Sequence, residues 1–493
     1  MDKADMTPAD ESTGGSTPPS RKRKIPLRTK LAFSSGAFQE AMLGAAAMTT
    51  MLFYNQILGL SPTLCGVAFL VASIVDGISD PLVGGLSDRF DSKWGRRHPF
   101  MLVSAFPLGI SYYFLYQPMD GLSGTGLLAW FITSMVIMRL AQTFYNIPHD
   151  ALGAEFTDDY HERTSVFGYN TVIGTGATVV MGMFVFWVLF PSTPEYSNGL
   201  LDPGRYPTLA MIGVPIIIGA ILICTFGTRD QIPYLHRINR TPMNVRRYFG
   251  DLLELLRNPS YISVCVSWLT IAAGTGIFYT VTTYTYIYAY ELSTEQLVIA
   301  GFVKLPGIFT ALPLAAFMTR WLDKKKTVIM IALVAGIATA WPHALRMIGW
   351  FPDNDYPYLL WMLFTPLFIS SLIMPVMAIV VDSQLVDITD DHEYRTGNRA
   401  EGLVFSIRTF AIKATAGLGG LIGGFGLEFI DFPENAEVGQ VAPDVLDGLL
   451  FMSGPLYFII LFIGVLFMGL YRLNEKRHQE ILTTLEERRA AGD

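Results

Sequence analysis

The chain has 493 residues, 51% of them hydrophobic and only 16% charged, with a formal net charge of -7. An ordinary soluble domain carries about 25% charged residues, so this composition excludes a soluble globule and points to a membrane protein. Three cysteines exclude a disulfide framework, and the mildly acidic balance says little about partners.

In chain order, residues 1–27, rich in Ser, Thr, Pro and charge, cannot bury enough apolar area to fold and are expected to form a disordered tail. Twelve apolar runs follow, near 31–58, 64–87, 99–117, 124–148, 165–190, 207–227, 260–290, 296–319, 327–349, 357–386, 400–428 and 448–471. Each is long enough to cross a hydrocarbon core about 30 Å thick, and the first is too long for a signal-peptide core. Lys and Arg gather beside the N-terminal tail, after every even-numbered run and beyond the last, whereas Arg205 and Arg346 alone fall on the other side. That asymmetry predicts an even number of spans with both termini cytoplasmic. Cys65, Cys224 and Cys265 lie inside runs and read as small buried hydrophobes.

The longest charged interruption separates six runs from six. The chain therefore divides into a first six-helix bundle (28–228), a cytoplasmic linker (229–259), a second bundle (260–473) and a cytoplasmic tail (474–493). Two nearly identical polar words occupy equivalent places, Thr157-Asp158-Asp159-Tyr160-His161-Glu162-Arg163-Thr164 after run four and Thr389-Asp390-Asp391-His392-Glu393-Tyr394-Arg395-Thr396 after run ten. Both read as polar hairpins, and duplication of a membrane unit is how many secondary transporters are built. A weaker correspondence links the short basic loops at Asp88 to Arg97 and Arg320 to Lys326. The chain has no phosphate-cradling Gly-x-x-x-x-Gly-Lys-Ser/Thr loop, no His-Glu-x-x-His pair and no Gly-x-Ser-x-Gly elbow. Neither ATP-driven pumping nor hydrolysis has its machinery, so no cofactor is expected and a gradient must drive any work.

The charges inside the runs carry the chemistry, because an ionised group near the bilayer centre costs at least about 2.5–3.5 kcal/mol without a partner, a wet cavity or a function. They are Glu40, Asp76, Asp80, Arg139, Asp150, Lys304, Asp382, Arg408 and Lys413. Asp76 and Asp80, four positions apart, share one helix face. Their repulsion is relieved by a hard cation such as Na⁺ or by a shared proton, and either makes a coupling-ion site. The alternative is that they pair with Arg139 or Lys413 to hold helices together. Lys304 precedes Leu305-Pro306-Gly307, an expected kink. Tyr279, Tyr284, Tyr286, Tyr288 and Tyr290 read as an interfacial belt at the outer end of run seven, with sugar stacking by Tyr279 as the alternative.

The stretch from Asp76-Gly77-Ile78-Ser79-Asp80-Pro81 through Ser87-Asp88-Arg89 to Trp94-Gly95-Arg96-Arg97-His98-Pro99 closely resembles the glycoside-pentoside-hexuronide:cation symporter family. So do Asp387-Ile388-Thr389-Asp390, Glu393-Tyr394-Arg395, Arg399-Ala400-Glu401-Gly402 and Lys413, with Thr143, Pro148 and Glu162-Arg163, and the likeness covers residues 30–475. It implies an all-α membrane protein with a major facilitator fold, twelve transmembrane helices in two six-helix bundles, working as a sugar:cation symporter by alternating access. The family's cation ligands carry over to Asp76, Asp80 and Thr143, with Ser79 beside them and Lys413 nearby. Arg89, Arg96, Arg97, Arg163, Asp387, Glu393 and Arg399 would form cytoplasmic charge networks latching the outward-open state; control of topology by basic loops is the alternative reading for any one arginine.

The sugar site departs from the family's melibiose permease, whose two sugar-recognising acids align with Ala41 and Asn146, whose flanking tryptophan aligns with Asp150, and whose span-five arginine falls near Asn170 or Thr171. Galactoside specificity is not implied. A different glycoside, a hexuronate or a pentoside would meet Glu40, Asn146, His149, Asp150, Tyr169 and Asn170, together with Lys413. The alternatives are a lysophospholipid:Na⁺ symporter, which would need an apolar cleft, and a non-transporting sensor on the same fold. His149 and Asp150 are the one candidate His/Asp pair, and as sequence neighbours they point about 100° apart, so no enzyme is expected. The expected partners are a small-molecule substrate and membrane lipid, not nucleic acid, for a monomer in the bacterial inner membrane.

Overall fold

The structure is a computed structural model that describes residues 24–90, 92–157, 159–235, 253–303, 305–397 and 401–491. The expected tail up to residue 23, residues 236–252 of the expected linker, Lys304 and Arg399 lie outside the described residues. Among the described residues every regular element is helical. The longer helices are α1 (Leu27–Ser35), α2 (Ala37–Leu52), α3 (Pro62–Arg89), α4 (His98–Tyr116), α5 (Gly124–Glu155), α6 (Tyr160–Met183) and α7 (Tyr206–Gly227). After the linker come α8 (Pro259–Tyr284), α9 (Thr294–Val303), α10 (Leu305–Met347), α11 (Leu359–Thr396), α12 (Glu401–Phe429), α13 (Pro443–Ser453), α14 (Pro455–Met468) and α15 (Glu475–Ala491). Among the described residues nine helices are long and apolar enough to cross a membrane. The expected runs at 31–58, 296–319 and 400–428, outside those nine, are helical along their described residues in α1–α2, α9–α10 and α12.

Local chemistry sets the helix ends. Ser61 accepts the Leu64 N–H ahead of Pro62, Asp159 accepts the Glu162 N–H, and Asn258 accepts the Ser260 N–H ahead of Pro259. Each supplies an acceptor to a donor that has no partner within its helix. Gly397, at φ 69°, closes α11 in the left-handed conformation that glycine adopts without a Cβ penalty. Wide π turns end α2, α6 and α8, at Phe53–Ile57, Phe184–Leu189 and Thr285–Ala289. Inside α10 a single residue, Asp323 at φ 63°, turns one helical leg into the next where a basic loop was expected.

Large apolar side chains such as Trp321, Phe309 and Trp361 face outward from the helices, 78%, 74% and 75% exposed within the protein. A surface of that kind suits lipid and not water. One apolar core joins α1–α7 with parts of α8, α12 and α13, and a second joins α8, α10, α11, α12, α14 and α15.

The seam that matters most runs along α12, which packs against α3 on one side and α8 on the other. Small residues make it possible. A Cβ added at Gly66 would collide with Gly420, one at Gly417 with Ser73, one at Gly424 with Pro62, and one at Gly276 with Thr415. Close backbone approach through glycine is a common solution for helices in lipid, where tails compete with side chains for apolar contact. The pairs also fix an antiparallel register: as α3 is followed from Pro62 to Ser73, α12 is met from Gly424 back to Gly417. One more turn along that register brings Lys413 opposite Asp76 and Asp80.

Two expectations change. The second Thr-Asp-Asp word is not a hairpin: α11 continues through Thr396, whereas in the first word, beyond the end of α5, Asp159 caps α6. The tyrosine belt is not interfacial, for Tyr284, Tyr286, Tyr288 and Tyr290 are buried and only Tyr279 is half exposed. The π turn at the end of α2 supplies Asn55 and Gln56 to Tyr284 and Tyr288, and α10 supplies His343 to Tyr290. The C-terminal segment forms α15, which docks on α11 with Ile481 and Leu485 buried.

Candidate functional site

Asp76, Ser79 and Asp80 on α3 meet Thr143 on α5 and Lys413 on α12 midway along the helices. The Thr143 hydroxyl lies 3.0 Å from Asp76 Oδ1 and 3.1 Å from Asp80 Oδ1, so its single proton serves one carboxylate at a time. Ser79 Oγ is 3.1 Å from Thr143 Oγ1 and 3.2 Å from the Asp76 carbonyl. Lys413 Nζ forms an ion pair with Asp80 Oδ2, sits 3.3 Å from Asp76 Oδ2, and donates to the Asp76 carbonyl at 3.1 Å. The ammonium thus rests between both acids. Arg139, the other candidate partner, reaches Gln142 at 3.4 Å instead. Of the predicted substrate set, Lys413 therefore stands with the acids.

The remaining predicted substrate residues separate into two environments. His149 is buried, stacked on Phe33 at 4.1 Å, with Nε2 3.0 Å from the Phe33 carbonyl and Nδ1 3.3 Å from Asp150 Oδ1. Both ring nitrogens already face protein oxygens, which makes His149 a positioning group and not a free ligand for sugar. Glu40 and Asp150 are exposed and lie within electrostatic range of each other. Asn146 accepts from Gln39 at 3.2 Å, a partner the sequence reading missed. On α6, Tyr169 is partly exposed beneath the Lys30 ammonium, and the Asn170 side-chain oxygen Oδ1 is buried with no hydrogen-bond partner among the described residues.

A cavity of about 620 Å³ opens directly above this group, between α2 and α6 on one side and α8, α9 and α11 on the other. Glu40 and Asn170 each stand one helical turn before a glycine of its wall, Gly44 and Gly174. Beyond the cavity, on the face opposite the termini, hydrogen bonds cross between the first and second halves of the chain. Tyr284 donates to Asn55 at 3.1 Å, Tyr288 to Gln56 Oε1 at 3.0 Å, and the Ala436 N–H to the same Gln56 oxygen at 2.8 Å. The Ser192 N–H and hydroxyl both donate to Glu295, at 2.9 and 2.7 Å. Partial burial alone would raise the Glu295 pKa, but these bonds outweigh it and hold the carboxyl down at about 2.

On the terminus-bearing face, the predicted gate charges pair inside each half. Arg96 and Arg97 converge on Glu155 Oε1 at 2.5 and 3.0 Å, and Arg97 also reaches Asp88 at 2.5 Å and Ser87 at 2.8 Å. In the second half Lys324 Nζ lies 2.7 Å from both Asp387 oxygens, while His478 of α15 approaches Asp387 at 3.5 Å and Asp390 at 3.0 Å. The weak likeness between the two basic loops is thus a structural one: each delivers a cation to an acid at the inner end of a later helix. Arg163 donates to the Thr157 carbonyl at 3.2 Å, Arg89 is exposed at the end of α3, and Glu393 sits in the last turns of α11.

The profile of one family, MFS/sugar transport protein, matches residues 32–475. The chain belongs to that family. An uncharacterized symporter of Bacillus subtilis (strain 168) is 27% identical over 94% of this chain and 96% of its own length. An isoprimeverose transporter of Lactiplantibacillus pentosus is 23% identical over 82% of this chain and 80% of its own. Among solved structures, a mutant form of the nucleoside transporter NupG superposes with a TM-score of 0.63 over 90% of this chain and all of its own, at 13% identity, a likeness of fold alone. The fold is therefore that of the major facilitator type, and the family consists of membrane transporters and not enzymes.

In this MFS sugar transport protein, sequence reasoning missed the titratable partners Glu155, Glu295 and His478, and with them a set of neutral residues. Gln39, Asn55, Gln56 and Ser192 carry no charge and match no motif. The one available signal was an amide or hydroxyl inside an apolar run, which in lipid must find a partner.

Proposed function

We propose that this protein is a Na⁺- or H⁺-coupled symporter that imports a sugar or glycoside by alternating access, with residues 28–228 and 260–473 as the two moving halves and both termini in the cytoplasm. Its family and the isoprimeverose transporter among its relatives support the substrate class, and neither favours the lysophospholipid or sensor alternatives. The Lys and Arg distribution supports the orientation.

The observation that carries the coupling is the place of Lys413. Two carboxylates, two hydroxyls and a backbone carbonyl make a hard-oxygen site for Na⁺, or a carboxylate pair able to share a proton. In this structure the ammonium of α12 neutralises that site from the second half of the chain. A cation arriving between Asp76 and Asp80 competes with Lys413 and so exchanges an ion pair between the halves for an ion held within the first. Coupling then needs no separate relay, because the ion and the α3–α12 seam share the same carboxylates.

The hydrogen bonds at Gln56 and Glu295 close the outer face, which makes this the inward-facing arrangement. Exposed Glu40 and Asp150, with Asn146, Tyr169 and Asn170, offer the hydroxyl partners a sugar requires, since each unmatched buried donor costs about 1–3 kcal/mol.

Reconstituted in liposomes, the protein should accumulate a labelled glycoside only under an imposed Na⁺ or H⁺ gradient. Asp76→Asn or Asp80→Asn should abolish accumulation, and Lys413→Ala should leave binding measurable while weakening the dependence of uptake on the gradient. Unchanged uptake in both aspartate variants would falsify the ion site.

A further inference from the structure

Resting on the sugar-symport reading, we propose that His149 and Asp150 form a second coupling site, one that takes a proton, so that each neutral sugar crosses with two cations and not one. The hydrogens of the pair can be counted. The Phe33 carbonyl can only accept, so His149 Nε2, 3.0 Å away, carries a hydrogen. Nδ1 lies 3.3 Å from Asp150 Oδ1. With its hydrogen on Nε2, a neutral ring presents a lone pair at Nδ1, and an ionised Asp150 presents another. Two acceptors in contact repel. The pair as it stands therefore holds one further proton, as imidazolium against carboxylate or as imidazole against carboxylic acid.

The ring is fixed in that pose. It is buried, stacked on Phe33 at 4.1 Å and on Tyr145 at 5.2 Å. The break between α1 and α2 presses on the same place, for a Cβ added at Gly36 would strike the Tyr145 hydroxyl and come within 3.3 Å of Nε2. When the proton leaves, it is Asp150 that has to move. Its side chain is 74% exposed and connects the buried ring with water. The titratable groups facing the ring are Asp150 and Tyr145 of α5 and Cys224 of α7, whose thiol donates to the same Phe33 carbonyl at 3.5 Å. Glu40 of α2 faces Asp150, and Lys30 of α1 is already paired with Glu162 of α6 at 2.6 Å.

This site is separate from the first. Asp150 stands seven residues beyond Thr143 on α5, about 10 Å along the helix and toward the terminus-bearing face. Loss of the proton frees Asp150 beside Glu40, and the two carboxylates then repel where sugar hydroxyls are to bind. A sugar thus favours the protonated pair, and by reciprocity the proton favours the sugar. In the cycle a proton from the outer side enters between Nδ1 and Asp150. In the inward-facing arrangement it passes through Asp150 to cytoplasmic water, leaving a neutral ring with its hydrogen on Nε2 and an ionised carboxylate.

The test uses the full chain in liposomes, with Na⁺ and pH equal on both sides and the potential clamped by valinomycin and K⁺. The probes are labelled glucose, galactose, xylose and methyl β-glucoside, all neutral, so the charge moved per sugar equals the number of cations. At about 59 mV, inside negative, each cation multiplies the equilibrium accumulation about tenfold. The wild type should reach about 100-fold, and His149→Gln and Asp150→Asn about tenfold. The ratio is set by stoichiometry and not by rate, so slower uptake in a variant leaves the reading intact. Lumenal pyranine should report one proton fewer per sugar in both variants.

About tenfold accumulation by the wild type would overturn the proton site and leave sugar symport standing. So would about 100-fold accumulation by His149→Gln. Without any variant, adding the transported sugar to purified protein in lightly buffered detergent should draw protons from solution, and no proton exchange at any pH from 6 to 9 would also overturn the site. Failure of all four probes to accumulate would overturn the symport reading with it.

Discussion

The two faces of this protein are held together by different chemistry. On the terminus-bearing face charges do the work, and they close locally: two guanidinium groups on Glu155 in the first half, an ammonium and an imidazole on Asp387 and Asp390 in the second. On the opposite face neutral amides and phenols reach across the halves, joined by the carboxylates of Glu295 and Glu428, which accept from Ser192 and from the Thr63 N–H. The contrast teaches how the halves can part. Strong ion pairs keep each half rigid, whereas most contacts across the outer face are neutral hydrogen bonds with a net worth of about 1 kcal/mol each.

The largest effect should come from the second half's charged cluster, which leans on α15. Removing residues 475–491 strips Ile481, Leu485, His478 and Arg488 from α11, where Arg488 donates to the Tyr394 carbonyl at 2.9 Å. A loss of about 4 kcal/mol is expected from the two buried aliphatic chains. Thermal unfolding of the purified protein in detergent should fall accordingly, and an unchanged midpoint would show that α15 does not support the face.

Next comes Glu155→Gln, which leaves Arg97, 5% exposed, without its buried carboxylate. About 2 kcal/mol should be lost, because Arg97 keeps only the exposed Asp88 as a counter-charge once the buried carboxylate is gone. The same measurement reads it. A cost equal to that of the exposed pair Arg477–Glu480, where Glu480→Gln should do almost nothing, would break the claim that these charges rigidify the half.

Smaller still is Tyr288→Phe, which deletes one bond to Gln56 across the seal. The closed outer face should lose about 1 kcal/mol, a shift of about fivefold toward the open arrangement. Spin-label distances between the outer ends of α2 and α8 would report it.

The smallest expected effect is one of pH. The Glu295 carboxyl is held at about 2, below its ordinary 4.5, so its contribution to the seal is fully present above 4.5 and is lost as pH falls through about 2. The same outer distance should therefore stay constant from pH 8 to pH 5. In Ser192→Ala the two-bond clamp loses its hydroxyl, and the loss should begin at higher pH.

Legibility in the sequence followed the physics of each contact. The helices were plain in the apolar runs, and Asp76 with Asp80 declared itself by a spacing of one turn. The two copies of the Thr-Asp-Asp word were also visible, yet their shapes were not. Asp159 caps a new helix in one, whereas Gly397 ends an unbroken α11 beyond the other, and the same letters serve either conformation. The tyrosines misled for a related reason. An aromatic row at a helix end usually marks the headgroup level, but here the partners that bury it, Asn55, Gln56 and His343, come from other parts of the chain.

By itself the sequence determined where helices run, which charges must sit in the membrane, and that a cation and not a nucleotide powers the work. In lipid every backbone group must be satisfied within its own helix, so such features are local and can be read locally. Only the tertiary structure decided that Lys413 and not Arg139 lies on Asp76 and Asp80. The choice depends on glycines of α12 fitting against α3 in one antiparallel register, and on no residue near the aspartates in sequence. The same packing placed an apolar cavity over polar Glu40 and Asn170, a juxtaposition that arises only when five separate stretches of chain are brought together.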